Sequence, residues 1–128
     1  MVRRNTRTVG ADAEKLACKF LNAQGLTNVT QNFRCRLGEI DLVMFDDDCL
    51  VFTEVRYRSG SCLTHAGLTV DTRKQKKLIR TAALFLARRP QFANSPVRFD
   101  VVAIDTDARH GETIEWIRDA FRPLDAAL

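Results

Sequence analysis

Gly38-Glu39-Ile40-Asp41-Leu42-Val43 and, beyond Asp46-Asp47-Asp48, Val51-Phe52-Thr53-Glu54-Val55-Arg56 set carboxylates inside two segments rich in β-branched and aromatic residues. Such segments on either side of a short acidic break read as the antiparallel strands of a hairpin. If Asp47 and Asp48 form a two-residue loop, Asp46 faces Cys49, and counting outward brings Asp41 opposite Glu54. A four-residue loop from Asp46 to Cys49 preserves that pairing. Directly opposed side chains on one face lie about 5 Å apart at Cβ, where like charges repel unless a cation lies between them. The pair therefore points to chemistry rather than packing. Glu54 and Arg56 are two residues apart and share a face, which adds a fixed positive charge. Glu39, as the neighbour of Asp41, is expected to point to the other face, in a surface or loop-capping role.

Outside the hairpin, the chain alternates between the two regular periods. Ala13, Leu16, Ala17, Phe20 and Leu21 follow the spacing of an amphipathic helix between Gly10 and Gly25, with Gly25 as its stop. Val29, Phe33 and Cys35 alternate with polar residues in a first strand. In the second strand Ile40, Leu42 and Met44 are expected to point one way, and Val43 and Phe45 the other, so both faces need cover. Thr72-Arg73-Lys74-Gln75 matches a capping box ahead of the apolar stripe Leu78, Ile79, Ala82, Phe85 and Leu86, and Pro90 ends that helix. Val97 to Ile104 and Thr113 to Ile117 complete the sheet, with Phe121 in a short terminal segment. The expected fold class is α/β, an α-β-β-β-α-β core with a mixed sheet flanked by helices.

The 128 residues are enough for one domain with its own core, spanning 1–128 with a basic arm at 1–8. Cys18, Cys35, Cys49 and Cys62 are widely spaced and read as reduced thiols of a cytoplasmic protein; Cys62 with His65 is a poor zinc pair because no second pair follows. The basic start is followed by no apolar run, so neither a leader nor a membrane anchor is expected. A net charge of +4 mildly favours an anionic partner. Its distribution says more: Arg56, Arg58, Arg73, Lys74, Lys76, Lys77 and Arg80 form a basic block, whose bland alternative is the solvated face of a helix.

The element order, with Asp41 on the second strand and Glu54-x-Arg56 on the third, resembles the PD-(D/E)xK nuclease fold. Gly10 to Glu14, Gly38-Glu39-Ile40-Asp41, Glu54-Val55-Arg56-Tyr57-Arg58, Lys74-Gln75 and Arg98-Phe99-Asp100-Val101-Val102 together resemble the YraN-like family of bacterial endonuclease-like proteins, itself similar to archaeal Holliday junction resolvases. The resemblance implies metal ligation by Asp41, Glu54, the Val55 carbonyl and Glu14. It implies catalytic roles for Glu14, Asp41, Glu54, Arg56, Lys74 and Gln75. Hard carboxylate ligands suit Mg²⁺ or Mn²⁺, which polarise a phosphodiester and acidify water. DNA rather than RNA is the implied partner, branched or otherwise structured, contacted by Arg58, Arg73, Lys74 and Lys77. A homodimer would suit a two-fold symmetric junction.

Arg56 departs from the pattern, which has lysine there. Arginine stays protonated and only donates hydrogen bonds, so it serves developing phosphoryl charge but cannot take a proton; Lys74 is the alternative source of a lysine. Two rival readings follow: a nucleic-acid-binding module that lost hydrolysis at Arg56, and a protein-interaction subunit with vestigial carboxylates. Asp100, set among apolar strand residues, is read as the buried partner of an arginine, and Tyr57 and Trp116 as core or edge aromatics.

Overall fold

The computed structural model describes residues 6–59, 70–107 and 111–123. Its elements run α1 (Thr6–Ala23), β1 (Thr27–Cys35), β2 (Gly38–Asp46), β3 (Cys49–Ser59), α2 (Thr72–Ala87), a 3-10 turn at Pro90–Phe92, β4 (Val97–Asp107) and β5 (Gly111–Phe121). The strands lie in the order β1-β2-β3-β4-β5. All neighbours are antiparallel except β3 and β4, which α2 joins as a parallel pair. This is the α/β mixed sheet between helices that the sequence predicts.

Each helix covers one face. Ala13, Ala17, Cys18 and Leu21 of α1 pack with Leu42, Met44, Val51, Val102 and Ile104, while Leu78, Ile79, Ala82 and Phe85 of α2 pack with Ile40, Val43, Leu50, Phe52, Phe99 and Val101. Phe85 is fully buried, with edge-on contacts to Phe33 at 5.1 Å and Phe52 at 5.6 Å. Burying an aromatic of this kind contributes on the order of 2–3 kcal/mol, so the α2 face has the stronger anchor.

Several local expectations are corrected. Helix α1 begins at Thr6, ahead of Gly10 and inside the stretch read as an arm. Its stop is as expected: Gly25 takes φ 101°, and the Leu26 N–H reaches back to the Leu21 carbonyl. The cap of α2 is Asp71 rather than Thr72, because its carboxylate accepts the Lys74 N–H at 2.8 Å. Gln75 instead donates its side-chain amide to the Val70 carbonyl at 2.6 Å.

Strand β5 is longer than expected and takes in Phe121, which pairs with Phe99 and stacks on it at 5.0 Å. A bulge makes this possible. The register shifts between Phe99 and Val101, where Asp119 at φ 52° donates its N–H to Asp100. Asp100 is the buried arginine partner the sequence suggests. Its carboxylate accepts two hydrogen bonds from Arg98 and one from the Trp116 indole, and Arg98 reaches on to Asp46 at 3.0 Å.

Candidate active site: a carboxylate cleft between β2, β3 and α2

The β2–β3 ladder runs from Asp46↔Cys49 to Leu42↔Thr53, the register that counting from a two-residue loop predicts. Asp41 and Glu54 are the next positions along each strand. Here the regular pattern gives way. Oδ2 of Asp41 accepts the backbone N–H of Val55 at 2.8 Å, so a side chain stands where a strand carbonyl ordinarily would.

Face alternation fails at the same place. Leu42 and Met44 pack on the α1 side, but Ile40 joins Val43 on the α2 side, contrary to the expectation that Ile40, Leu42 and Met44 share a face. In a regular strand, residues two apart lie on one side. The break between Ile40 and Leu42 leaves Asp41 at the edge of both faces, within reach of groups from either helix.

From the α2 side, Lys74 Nζ lies 3.2 Å from Glu54 Oε1. Asp41, Glu54, Glu39, Lys74 and Lys77 line one cleft of about 200 Å³. Gly38 allows the helix to come this close: a Cβ there would meet Thr81 Oγ1 at 2.9 Å. Thr81 is itself fully buried and tied to the Lys77 carbonyl, so it has little freedom to move. The second oxygen of Glu54 is buried without a hydrogen-bond partner.

From the α1 side comes Glu14. One oxygen each of Glu14, Glu39 and Asp41 lie within 4.8 Å of one another. Glu39 therefore does not point away as expected; residues 39 and 41 are two apart, and that parity brings them together. Arg34, 3.5 Å from Glu39, offsets part of the charge from the exposed side.

Burial, opposed only in part by the Val55 N–H, pushes the Asp41 carboxyl up to about 7, with Glu54, Glu14 and Glu39 adding repulsion. Burial also raises Glu14, while hydrogen bonds from Asn32 and with Asp41 oppose the rise. A carboxyl that holds its proton near neutrality, as Asp41 does, among other carboxylates in a cleft is a signature of functional sites.

The predicted residues thus separate. Glu14, Asp41, Glu54 and Lys74 come together; Lys77 joins them at the cleft wall. Val55 enters through its N–H. Arg56 follows Glu54 in the alternation of β3 but does not line the cleft. Gln75 is turned to the backbone before α2. Arg73, Lys76 and Arg80 lie exposed on α2. The Arg58 side chain, Cys62, His65 and the residues before Thr6 lie outside the described portion. Among the described residues, Cys18, Cys35 and Cys49 are free thiols, and no helix is long and apolar enough to cross a membrane.

Fold and site together define an α/β domain with a carboxylate and lysine cleft between its sheet and α2. The chain belongs to the uncharacterised protein family UPF0102, the YraN-like family, which matches residues 13–104. It is similar to UPF0102 proteins of Alcanivorax borkumensis, at 46% identity over 92% of this chain and 94% of the relative, and of Pseudomonas syringae pv. syringae, at 46% over 94% and 98%. A Pseudomonas aeruginosa relative is 44% identical over 93% of this chain and 96% of its own. Among solved structures, Pyrococcus furiosus SfsA in complex with Ca²⁺ overlaps 93% of this chain and 66% of its own at 15% identity and a TM-score of 0.34, too remote to carry an argument.

Proposed function

We propose that the protein is a divalent-metal-dependent endonuclease that hydrolyses phosphodiester bonds in DNA, with branched or otherwise structured DNA as its substrate class. What carries the reading is the approach of Lys74 to Glu54 beside Asp41 in one cleft, with the Glu14 carboxylate of the opposite helix within 4.8 Å of Asp41. The donor set fits Mg²⁺ or Mn²⁺. It is all oxygen, burial and then neighbouring carboxylates keep Asp41 protonated to about 7, and one buried Glu54 oxygen lacks a partner. Glu14, Asp41, Glu54 and the Val55 carbonyl would hold the ion, with Glu39 adding a carboxylate. When bound, such an ion supplies Lewis-acid stabilisation of the phosphoryl oxygens and a nucleophile at neutral pH.

The chain's own groups divide the remaining work. Lys74 takes the part of the missing strand lysine, donating to charge that develops on phosphate while Glu54 fixes its ammonium. Lys77 and the exposed Arg73 hold the flanking backbone. Arg56 donates hydrogen bonds from the neighbouring position on β3 and never takes a proton.

A cleavage assay on linear, single-stranded and four-way-junction DNA with Mg²⁺ or Mn²⁺, run beside Asp41→Asn, tests the proposal. Metal-dependent products from the wild type alone support it. Binding without cleavage would favour a nucleic-acid-binding module, the reading that the displaced Arg56 otherwise recommends.

A further inference from the structure

Asn32 sits mid-strand in β1 with φ 53°, a left-handed conformation uncommon outside glycine and most tolerated by Asn and Asp. Register places it across the ladder from Asp41, between the pairs Gln31↔Leu42 and Phe33↔Ile40. Those two pairs face opposite layers. Gln31 donates to Cys18 of α1 at 3.4 Å and Leu42 packs with it, whereas Phe33 contacts Phe85 of α2 and Ile40 joins that cluster. Pairs two residues apart share a face in a regular sheet, so both strands turn over at the Asn32–Asp41 step.

We propose that Asn32 is a positioning residue of the cleft, whose left-handed backbone is the pivot that swings Asp41 out of the ladder and onto the Val55 N–H. Its side-chain amide also hydrogen-bonds the Glu14 carboxyl, so one residue locates a carboxylate from the sheet and another from the helix. An ordinary strand residue at 32 would keep both strands in phase and return Asp41 to one face, away from one of its two helices. The inference rests on the metal-site reading for its purpose but not for its geometry.

Two substitutions separate the parts. Asn32→Ala loses tolerance for positive φ, whereas Asn32→Gly keeps it and loses only the amide. By amide hydrogen exchange on the metal-free protein, Asn32→Ala is expected to speed exchange at Val55 by tenfold or more, on the order of loss of one protecting bond, while Val51 in the intact ladder stays protected. Asn32→Gly should leave Val55 protected yet weaken Mn²⁺ binding by about tenfold in calorimetry, the usual effect of removing a partner that orients a ligand. Wild-type exchange at Val55 in Asn32→Ala overturns the inference. If the wild type binds no Mn²⁺, the metal reading fails instead, and the exchange result still decides the role of Asn32.

Discussion

The Val55 backbone N–H donates to Asp41 Oδ2 at 2.8 Å, making a carboxylate part of the β-ladder at the point where β2 and β3 cease to pair. The bond stabilises the ionised form of Asp41, yet burial and three neighbouring carboxylates outweigh it, and the group ionises only near 7. The cleft is thus costly to the fold until its charge is met.

That cost has a sign. The folded-state pKa of Asp41 lies above its ordinary value of 3.8, so the folded protein holds a proton that the unfolded chain has released. The resulting stabilisation is full below about pH 4 and is lost as pH rises through about 7. Asp41→Asn resembles the protonated group, so it should match wild type at about pH 3.5, fall behind it nowhere, and exceed it by roughly 2–4 kcal/mol at pH 8 in metal-free urea unfolding, with the difference opening between about pH 4 and 7. Parallel pH profiles for the two proteins would contradict the burial account. If the proposed metal site forms, divalent cations should reverse the order at pH 8, because Asp41→Asn removes one of its ligands.

Lys74 and Lys77 face the cleft from α2, with Arg73 exposed beside them. Replacing both lysines by alanine should weaken DNA binding similarly across sequences and lower the slope of log affinity against log salt by about 2, near 0.9 per phosphate contact. An unchanged slope in fluorescence titrations would assign them to an ordinary solvated helix face. Lys74→Ala alone should also release Glu54, with a larger effect on cleavage than on binding.

Much of this was legible in the sequence because it depends on period and parity. The loop Asp47-Asp48 sets the register of β2 against β3, and the helical stripes choose the covered faces. Asp41, Glu54 and Lys74 follow from those rules plus a motif. Glu39 stands beside Asp41, as the two-residue spacing in itself implies, rather than on the other face. Asn32 left a faint signal, an asparagine inside a strand where β-formers prevail, but its φ is fixed by what packs on both sides. Asp71 rather than Thr72 caps α2, because its carboxylate accepts the Lys74 N–H. The β5 bulge was hidden for a related reason: it forms around Asp100, a residue on another strand.

Asp100 offers a control outside the lining of the cleft. Its fully buried carboxylate satisfies Arg98, the Trp116 indole and the Asp119 N–H. Asp100→Ala leaves those donors unpaired and should cost about 3–5 kcal/mol in denaturant unfolding. Mn²⁺ affinity of the folded fraction should be unchanged. Loss of metal binding at full stability would instead make Asp100 part of the site.

Arg56 decides between enzyme and binding module. It follows Glu54 on β3 at the position where the resembled motif has lysine, while Lys74 already stands 3.2 Å from Glu54. If Lys74 supplies the catalytic ammonium and Arg56 only steadies phosphoryl charge, Arg56→Lys should preserve or raise cleavage. Arg56→Ala should then reduce it by two or more orders of magnitude, on the order of 3 kcal/mol of transition-state stabilisation. Lys74→Ala should be as damaging, and Asp41→Asn should abolish metal-dependent cleavage in every background. A different pattern marks the other outcome. If the wild type binds DNA but cuts nothing with either metal, and Arg56→Lys then cuts, hydrolysis was lost at that one position and Lys74 does not replace it. No cleavage by either version, with no Mn²⁺ binding by calorimetry, would defeat the nuclease reading and leave the carboxylate cleft without a catalytic purpose.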